Sequence, residues 1–171
     1  IDHGVARLAQ IASGGYVGIN VSGVQLLQTD VPALVAAALE RHRVDPGRFV
    51  VEITESAILP ESVRIRGQLA EIRTMGVKVA VDDFGSGYSS IAYLDWIPAD
   101  VVKLDRRFLL GDLDTRRLSL LTATVGLVRS VGALALVEGV ETQEQLEIVR
   151  AAGADLAQGY FFGRPQLGER V

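Results

Sequence analysis

Apolar runs of strand length alternate along this chain with segments of helical periodicity, and nearly every run ends in a polar residue. The strand-like runs are "YVGIN" (16–20), "FVVEIT" (49–54), "VKVAVD" (77–82), "VVKLD" (101–105), "ALALVE" (133–138) and "LAQGYFF" (156–162). Between them, helical spacing covers 1–12, 31–44, 61–76, 91–97, 115–132 and 142–153. Pro32 suits a first helical turn, Gly76 and Gly132 suit helix ends, and Thr142 with Gln145 forms a capping-box signature. This repetition of strand and helix predicts an α/β fold with a parallel sheet flanked by helices. Periodicity leaves two architectures open, an open doubly wound sheet and a closed eight-fold barrel, which typically takes about 250 residues.

Of the 171 residues, 49% are hydrophobic and 22% charged, enough for a large core in a single domain. The net charge is −4 and no basic run occurs, which argues against a long nucleic acid as partner. Cysteine is absent, so the chain forms neither disulfides nor thiolate metal sites, a composition that fits the cytoplasm. No apolar run approaches the roughly 20 residues of a membrane span. The first residues read as a helix already in progress, and we expect the chain to be a piece, 1–171, of something larger.

The polar strand-end residues are Asn20, Glu52, Asp82, Lys103, Glu138 and Gln158. Alternation puts Val50, Glu52 and Thr54 on one face, and Val101, Lys103 and Asp105 on one face. Sites in parallel α/β folds form at the C-terminal ends of strands, so these groups are expected to converge. Each has a bland alternative: Asn20 closing an Asx turn, Glu52 solvated, Asp82 or Asp83 capping a turn, Lys103 paired with Asp105 on the surface, Gln158 in an ordinary turn. Strict alternation would send Asp82 and Asp83 to opposite faces. Gly85 and Gly87 suggest that the strand ends there, which frees Asp83 to turn into the same pocket.

Carboxylates and an amide oxygen, without cysteine, select hard cations such as Mg²⁺ or Mn²⁺. His3 and His42 lie in helical patterns, away from strand ends, and are expected on the surface or in packing. Two adjacent carboxylates suit a pair of cations, with Asp82 bridging and Asp83 binding the second. Such a pair most often serves hydrolysis at phosphorus, where Lys103 could hold the attacking water or neutralise a phosphate oxygen. "GSGYSS" lacks the lysine of a nucleoside-triphosphate loop.

The segments "NVS" (20–22), "VEITES" (51–56), "VAVDDFGSGYSS" (79–90), "VVKLDRRFL" (101–109), "VEGVET" (137–142) and "AQGYFFGRP" (157–165) together resemble the ordered motifs of the EAL domain, over residues 1 to 167. The resemblance implies a modified TIM (β/α)8 barrel with one antiparallel strand. It implies hydrolysis of cyclic di-GMP to linear pGpG with two Mg²⁺ or Mn²⁺ ions. It assigns Asn20, Glu52 and Asp82 to the first metal, and Asp82, Asp83 and Glu138 to the second metal and its water. Lys103 would position or help deprotonate that water, and Asp105, Glu141, Gln158 and Pro165 would line the substrate pocket. Glu55 would steady the loop from Asp83 to Ser90, and the part of that loop around Tyr88 would support a homodimer.

Three departures accompany the resemblance. The Glu-Ala-Leu signature, which lies on the family's first strand and supplies a ligand of the first metal, is absent from these residues. Ser86 stands where the family usually has Thr. The segment "SGVQ" (22–25) lacks the Arg that the family usually has near Val24. The alternative reading is therefore a catalytically inactive module that holds cyclic di-GMP or a protein partner without turnover.

Overall fold

The computed structural model describes residues 1–10, 15–54, 62–86, 92–112 and 114–164. Helices and strands alternate through two compact units, Ile1–Val102 and Lys103–Val171. The first unit holds α1 (Asp2–Gln10), β1 (Val17–Asn20), α2 (Gly23–Gln28), α3 (Val31–His42), β2 (Phe49–Thr54), α4 (Val63–Thr74), β3 (Lys78–Phe84) and α5 (Ala92–Trp96). A fourth strand, β4 (Val101–Leu104), crosses the boundary. The second unit continues with α6 (Thr115–Ser130), β5 (Leu134–Val137), α7 (Gln143–Ala151) and β6 (Leu156–Ala157). Among the described residues no helix is long and apolar enough to cross a membrane.

In the first unit β1, β2 and β3 pair in parallel, in that order. Strand β2 shows why the sequence adopts this layer: Phe49, Val51 and Ile53 are fully buried, while Val50, Glu52 and Thr54 on the other face are only half-buried. Helix α4 packs against β3 and buries Ile65, Leu69 and Ile72, at helical spacing and all at 0% exposure. In the second unit β5 pairs in parallel with β6.

The polar terminations of the helices follow the sequence. The Asp30 carboxylate accepts from Ala33 N–H at 3.0 Å at the start of α3, with Pro32 in its first turn. Thr142 and Gln145 cap α7 reciprocally, as their spacing predicts. Helix α2 was not anticipated, although Ser22 and Gln25 form the same kind of capping box. Two strands differ from expectation. Strand β3 continues through Asp83 to Phe84, which is buried and holds the strand end down. The last strand stops at Ala157, because Phe161 N–H turns back to the Val140 carbonyl and Phe162 N–H to that of Gly159.

One device occurs in both units, although no repeat is evident in the sequence. Val79 N–H, near the start of β3, donates to the Asp100 carboxylate at 3.0 Å, and Asp100 N–H donates to Val79 C=O at 2.8 Å. Arg73 holds the same carboxylate through Nε and Nη2. In the second unit Ala135 N–H donates to Asp155 at 2.9 Å, Asp155 N–H donates to Ala135 C=O at 3.0 Å, and Arg129 holds Asp155. The spacing Arg73-Gly76-Val79 is that of Arg129-Gly132-Ala135. Each aspartate thus ties a helix end, the strand that follows and the strand it precedes.

The Arg129 guanidinium hydrogen bond holds the Asp155 carboxyl below the ordinary aspartate value, against the upward push of burial. A depressed native pKa gives stability that is present above the unfolded value, about 3.9, and lost as pH falls through the native one. Urea titrations of the chain and of Asp155→Asn should therefore differ near neutrality and converge in acid below about pH 4.

Gln68 is a second tie. Buried on α4, it accepts from Val31 N–H at 2.8 Å and donates to the Leu26 carbonyl, joining the end of α2 and the start of α3 to α4. Gln68→Leu should cost about 1–3 kcal/mol in chemical denaturation, since two buried backbone groups lose their partners.

Candidate metal and catalytic site

Register puts three of the expected ligands on one face of the first unit's sheet. Asn20 lies opposite Glu52, Glu52 opposite Ala80, and Thr54 opposite Asp82. In a parallel ladder, partners at matched positions project to the same side. Asn20, Glu52 and Asp82 therefore share one face of the sheet, near the C-terminal ends of β1, β2 and β3, with Glu52 and Asp82 half-buried and Asn20 exposed. Val21 N–H donates to the Glu52 carbonyl at 2.8 Å and fixes where Asn20 leaves β1. The Glu52 carboxyl group folds back over Gly18, filling the space that a side chain there would take. Sequence reasoning missed Gly18; a glycine two residues before a strand-end polar group is the available signal.

The twin aspartates resolve the alternation problem by a route other than the expected one. The strand does not end at Asp82. Instead Asp83 takes a left-handed backbone, φ +59°, within β3. Its N–H donates to Asp82 Oδ1 at 3.0 Å, and its carbonyl accepts from Ser86 N–H at 3.0 Å. Both carboxylates remain half-buried. Aspartate tolerates this backbone better than most residues, but the conformation still costs about 1 kcal/mol or more. Asp83→Gly should melt above the parent chain and Asp83→Ala below it in metal-free thermal unfolding.

The second unit brings Lys103 and Glu138 together. Lys103 sits in β4 between Val102 and Leu104, both at 0% exposure, and is itself only 7% exposed. Its Nζ lies 2.9 Å from Glu138 Oε1. The surface pairing of Lys103 with Asp105 gives way to a sheltered pair with a different carboxylate. A lysine ammonium at this depth requires such a partner, because desolvation alone would disfavour its charge. Glu138 lies one residue past β5, with its N–H on the Leu104 carbonyl at 3.0 Å.

The remaining candidates are less committed. Asp105 Oδ1 accepts from Arg107 N–H at 2.8 Å and caps the 3₁₀ turn Arg106–Leu109, a role the sequence did not suggest. Glu141 is exposed, its N–H donating to Gln145 Oε1 at 2.7 Å. Gln158 is exposed as well, held by backbone bonds to Val137 and Val140. Glu55, Pro165 and the loop around Tyr88 lie outside the described residues. His42 meets Asp2 Oδ1 at 3.1 Å on the helical surface, consistent with its reading as a packing residue.

Chemically, an amide oxygen and carboxylates on one face form a donor set for a hard divalent cation, with no soft ligand available. A sheltered lysine–glutamate pair is suited to holding and moving a proton on a water or hydroxyl.

The EAL domain family model matches residues 1–165. MucR of Pseudomonas aeruginosa, a bifunctional diguanylate cyclase/cyclic di-GMP phosphodiesterase, is 32% identical over 177 aligned positions, covering all of this chain and 26% of that protein. Its phosphodiesterase domain, solved with c-di-GMP, superposes with TM-score 0.85, covering 96% of this chain and 68% of the solved one. BlrP1 of Klebsiella pneumoniae, solved with manganese and cyclic di-GMP, gives TM-score 0.87 at 26% identity, covering 96% of this chain and 43% of that one. The chain spans 18% to 26% of the length of the first curated relatives it matches.

Proposed function

Because this chain belongs to the EAL domain family, with its α/β modified TIM barrel fold, we propose that it hydrolyses cyclic di-GMP to linear pGpG in the bacterial cytoplasm. The observation that carries the reading is the register that sets Asn20 beside Glu52 and Thr54 beside Asp82 on one sheet face. A purely structural sheet has no need of three metal-type donors at neighbouring strand ends.

In this proposal Asn20, Glu52 and Asp82 would hold one divalent cation, and Asp82, Asp83 and Glu138 a second. When bound, Mg²⁺ or Mn²⁺ would supply charge for the phosphate oxygens and lower the pKa of an attacking water. This chain's own contribution is orientation and proton handling. The Lys103 ammonium, held by Glu138, directs a hydrogen bond at the water or a phosphate oxygen. The Glu138 carboxylate orients that lysine and accepts hydrogen bonding from the same water. One P–O bond forms to the water oxygen and one breaks to the ribose 3′-oxygen, which takes up a proton. Asp105, Glu141, Gln158 and Pro165 would contact the nucleotide, and Glu55 would support the loop around Tyr88, through which two copies would associate.

Incubation of a chain extended through the family's Glu-Ala-Leu strand with cyclic di-GMP and Mg²⁺ or Mn²⁺, followed by chromatography, should reveal pGpG, whereas residues 1–171 alone should turn over poorly. Asp82→Ala should lower kcat/KM by about a thousandfold or more. Nucleotide that binds but persists unhydrolysed with either cation would mark a binding module instead. Lys103→Met should lower kcat while leaving Mn²⁺ affinity within a few-fold, because its ammonium is no cation ligand. Val24, 60% exposed on α2, offers the nucleotide no charge. Val24→Arg should lower KM and leave kcat unchanged.

A further inference from the structure

We infer that Gly139 is a positioning residue that sets Glu138 against Lys103, an inference resting on the function proposed for that pair. Glu138 is the last residue before the chain must pass very close to the 3₁₀ turn Arg106–Leu109. Gly139 makes the passage with a left-handed backbone, φ +73°. A Cβ at this position would overlap the Arg106 Cβ and lie 3.3 Å from its Cα. These are not the mobile tip of a long side chain. They are fixed to a turn held by the Asp105 cap on Arg107 N–H and by Phe108 N–H on the Asp105 carbonyl.

The other side of the same segment is equally confined. Val140 N–H donates to the Gln158 carbonyl at 3.1 Å, and the Val140 carbonyl accepts from Phe161 N–H at 2.9 Å. A Cβ on Gly159 would overlap the Val140 backbone. The segment 138–141 is thus gripped between the turn at Arg106 and the chain at Gln158–Gly159. A methyl group at residue 139 can be accommodated only by moving the residue beside it, Glu138. Lys103 cannot follow, because Val102 and Leu104 anchor β4 in the core on either side of it. The 2.9 Å contact between Lys103 Nζ and Glu138 Oε1 is the interaction that opens.

The test compares the parent chain, extended through the Glu-Ala-Leu strand, with Gly139→Ala, Arg106→Gly, and the two combined. A crystal structure of Gly139→Ala should place Nζ beyond about 4 Å from Oε1, the limit of an ion pair. Hydrolysis of cyclic di-GMP should lose at least tenfold in kcat with little change in KM, and calorimetric titration should show weaker Mn²⁺ binding. Arg106→Gly, which removes the obstructing Cβ, should restore much of the loss in the double variant. An Nζ–Oε1 contact still near 3 Å in Gly139→Ala overturns the inference, as does a double variant no better than the single one. Should Gly139→Ala not fold, the double variant decides alone: folded with the pair intact supports the inference, folded with the pair open defeats it. A parent chain that neither binds Mn²⁺ nor turns over substrate would reject the proposed function instead, with the crystallographic distance still judging Gly139.

Discussion

Strand register is the constraint on which the candidate site depends. In a parallel ladder a shift of one residue sends every side chain of a strand to the opposite face. Had β2 slipped by one residue against β1, Glu52 would lie under the helices and Ile53 would face Asn20. The burial of Phe49, Val51 and Ile53 forbids that slip, because it would expose three large apolar side chains and bury a carboxylate. The core therefore fixes the chemistry. The apolar residues of β2 hold Glu52 beside Asn20 more firmly than any contact that Glu52 makes itself.

How far the sequence reveals this follows from the reach of each interaction. Alternation in "FVVEIT" is a local pattern, and it identifies both the strand and the half-buried position of Glu52. The pairing of Thr142 with Gln145 is local too, and the helix begins where that spacing says. The short helix Gly23–Gln28 carries the same local signal in Ser22 and Gln25, yet its two turns leave too little periodicity to be noticed. Non-local facts are not visible in this way. That Lys103 pairs with Glu138 rather than with Asp105, two residues along, depends on a contact across 35 positions of sequence. The close approach of Gly139 to Arg106 is equally hidden, and so is the use of Asp100 and Asp155 as ties between strand starts. Only the family resemblance proposes a role for Glu138, because it encodes such long-range contacts without displaying them.

The twin aspartates show why a local rule can fail at a candidate site. Alternation and the flanking glycines argue for a strand that stops at Asp82. The chain keeps its strand to Phe84 and places the irregularity in the backbone of Asp83. A buried phenylalanine beyond the irregular residue holds the segment down, so the left-handed conformation persists despite its cost. Sequence periodicity carries no information on such a compromise, because it reports side-chain environment and not backbone sign.

The two ends of the strands are accordingly under different demands. At the C-terminal ends lie features that oppose folding: adjacent carboxylates, a left-handed aspartate, and a lysine sheltered from water. At the N-terminal ends of β3 and β5 lie the aspartate ties, each satisfying a backbone N–H and an arginine at once. Strain at one end of a strand is tolerated when the other end is secured, since the strand moves as a stiff element. A chain stripped of Asp100 or Asp155 would loosen first where these ties sit, but the consequence for chemistry would appear at the far end. There, the candidate ligands on each strand would lose the reference that its register provides.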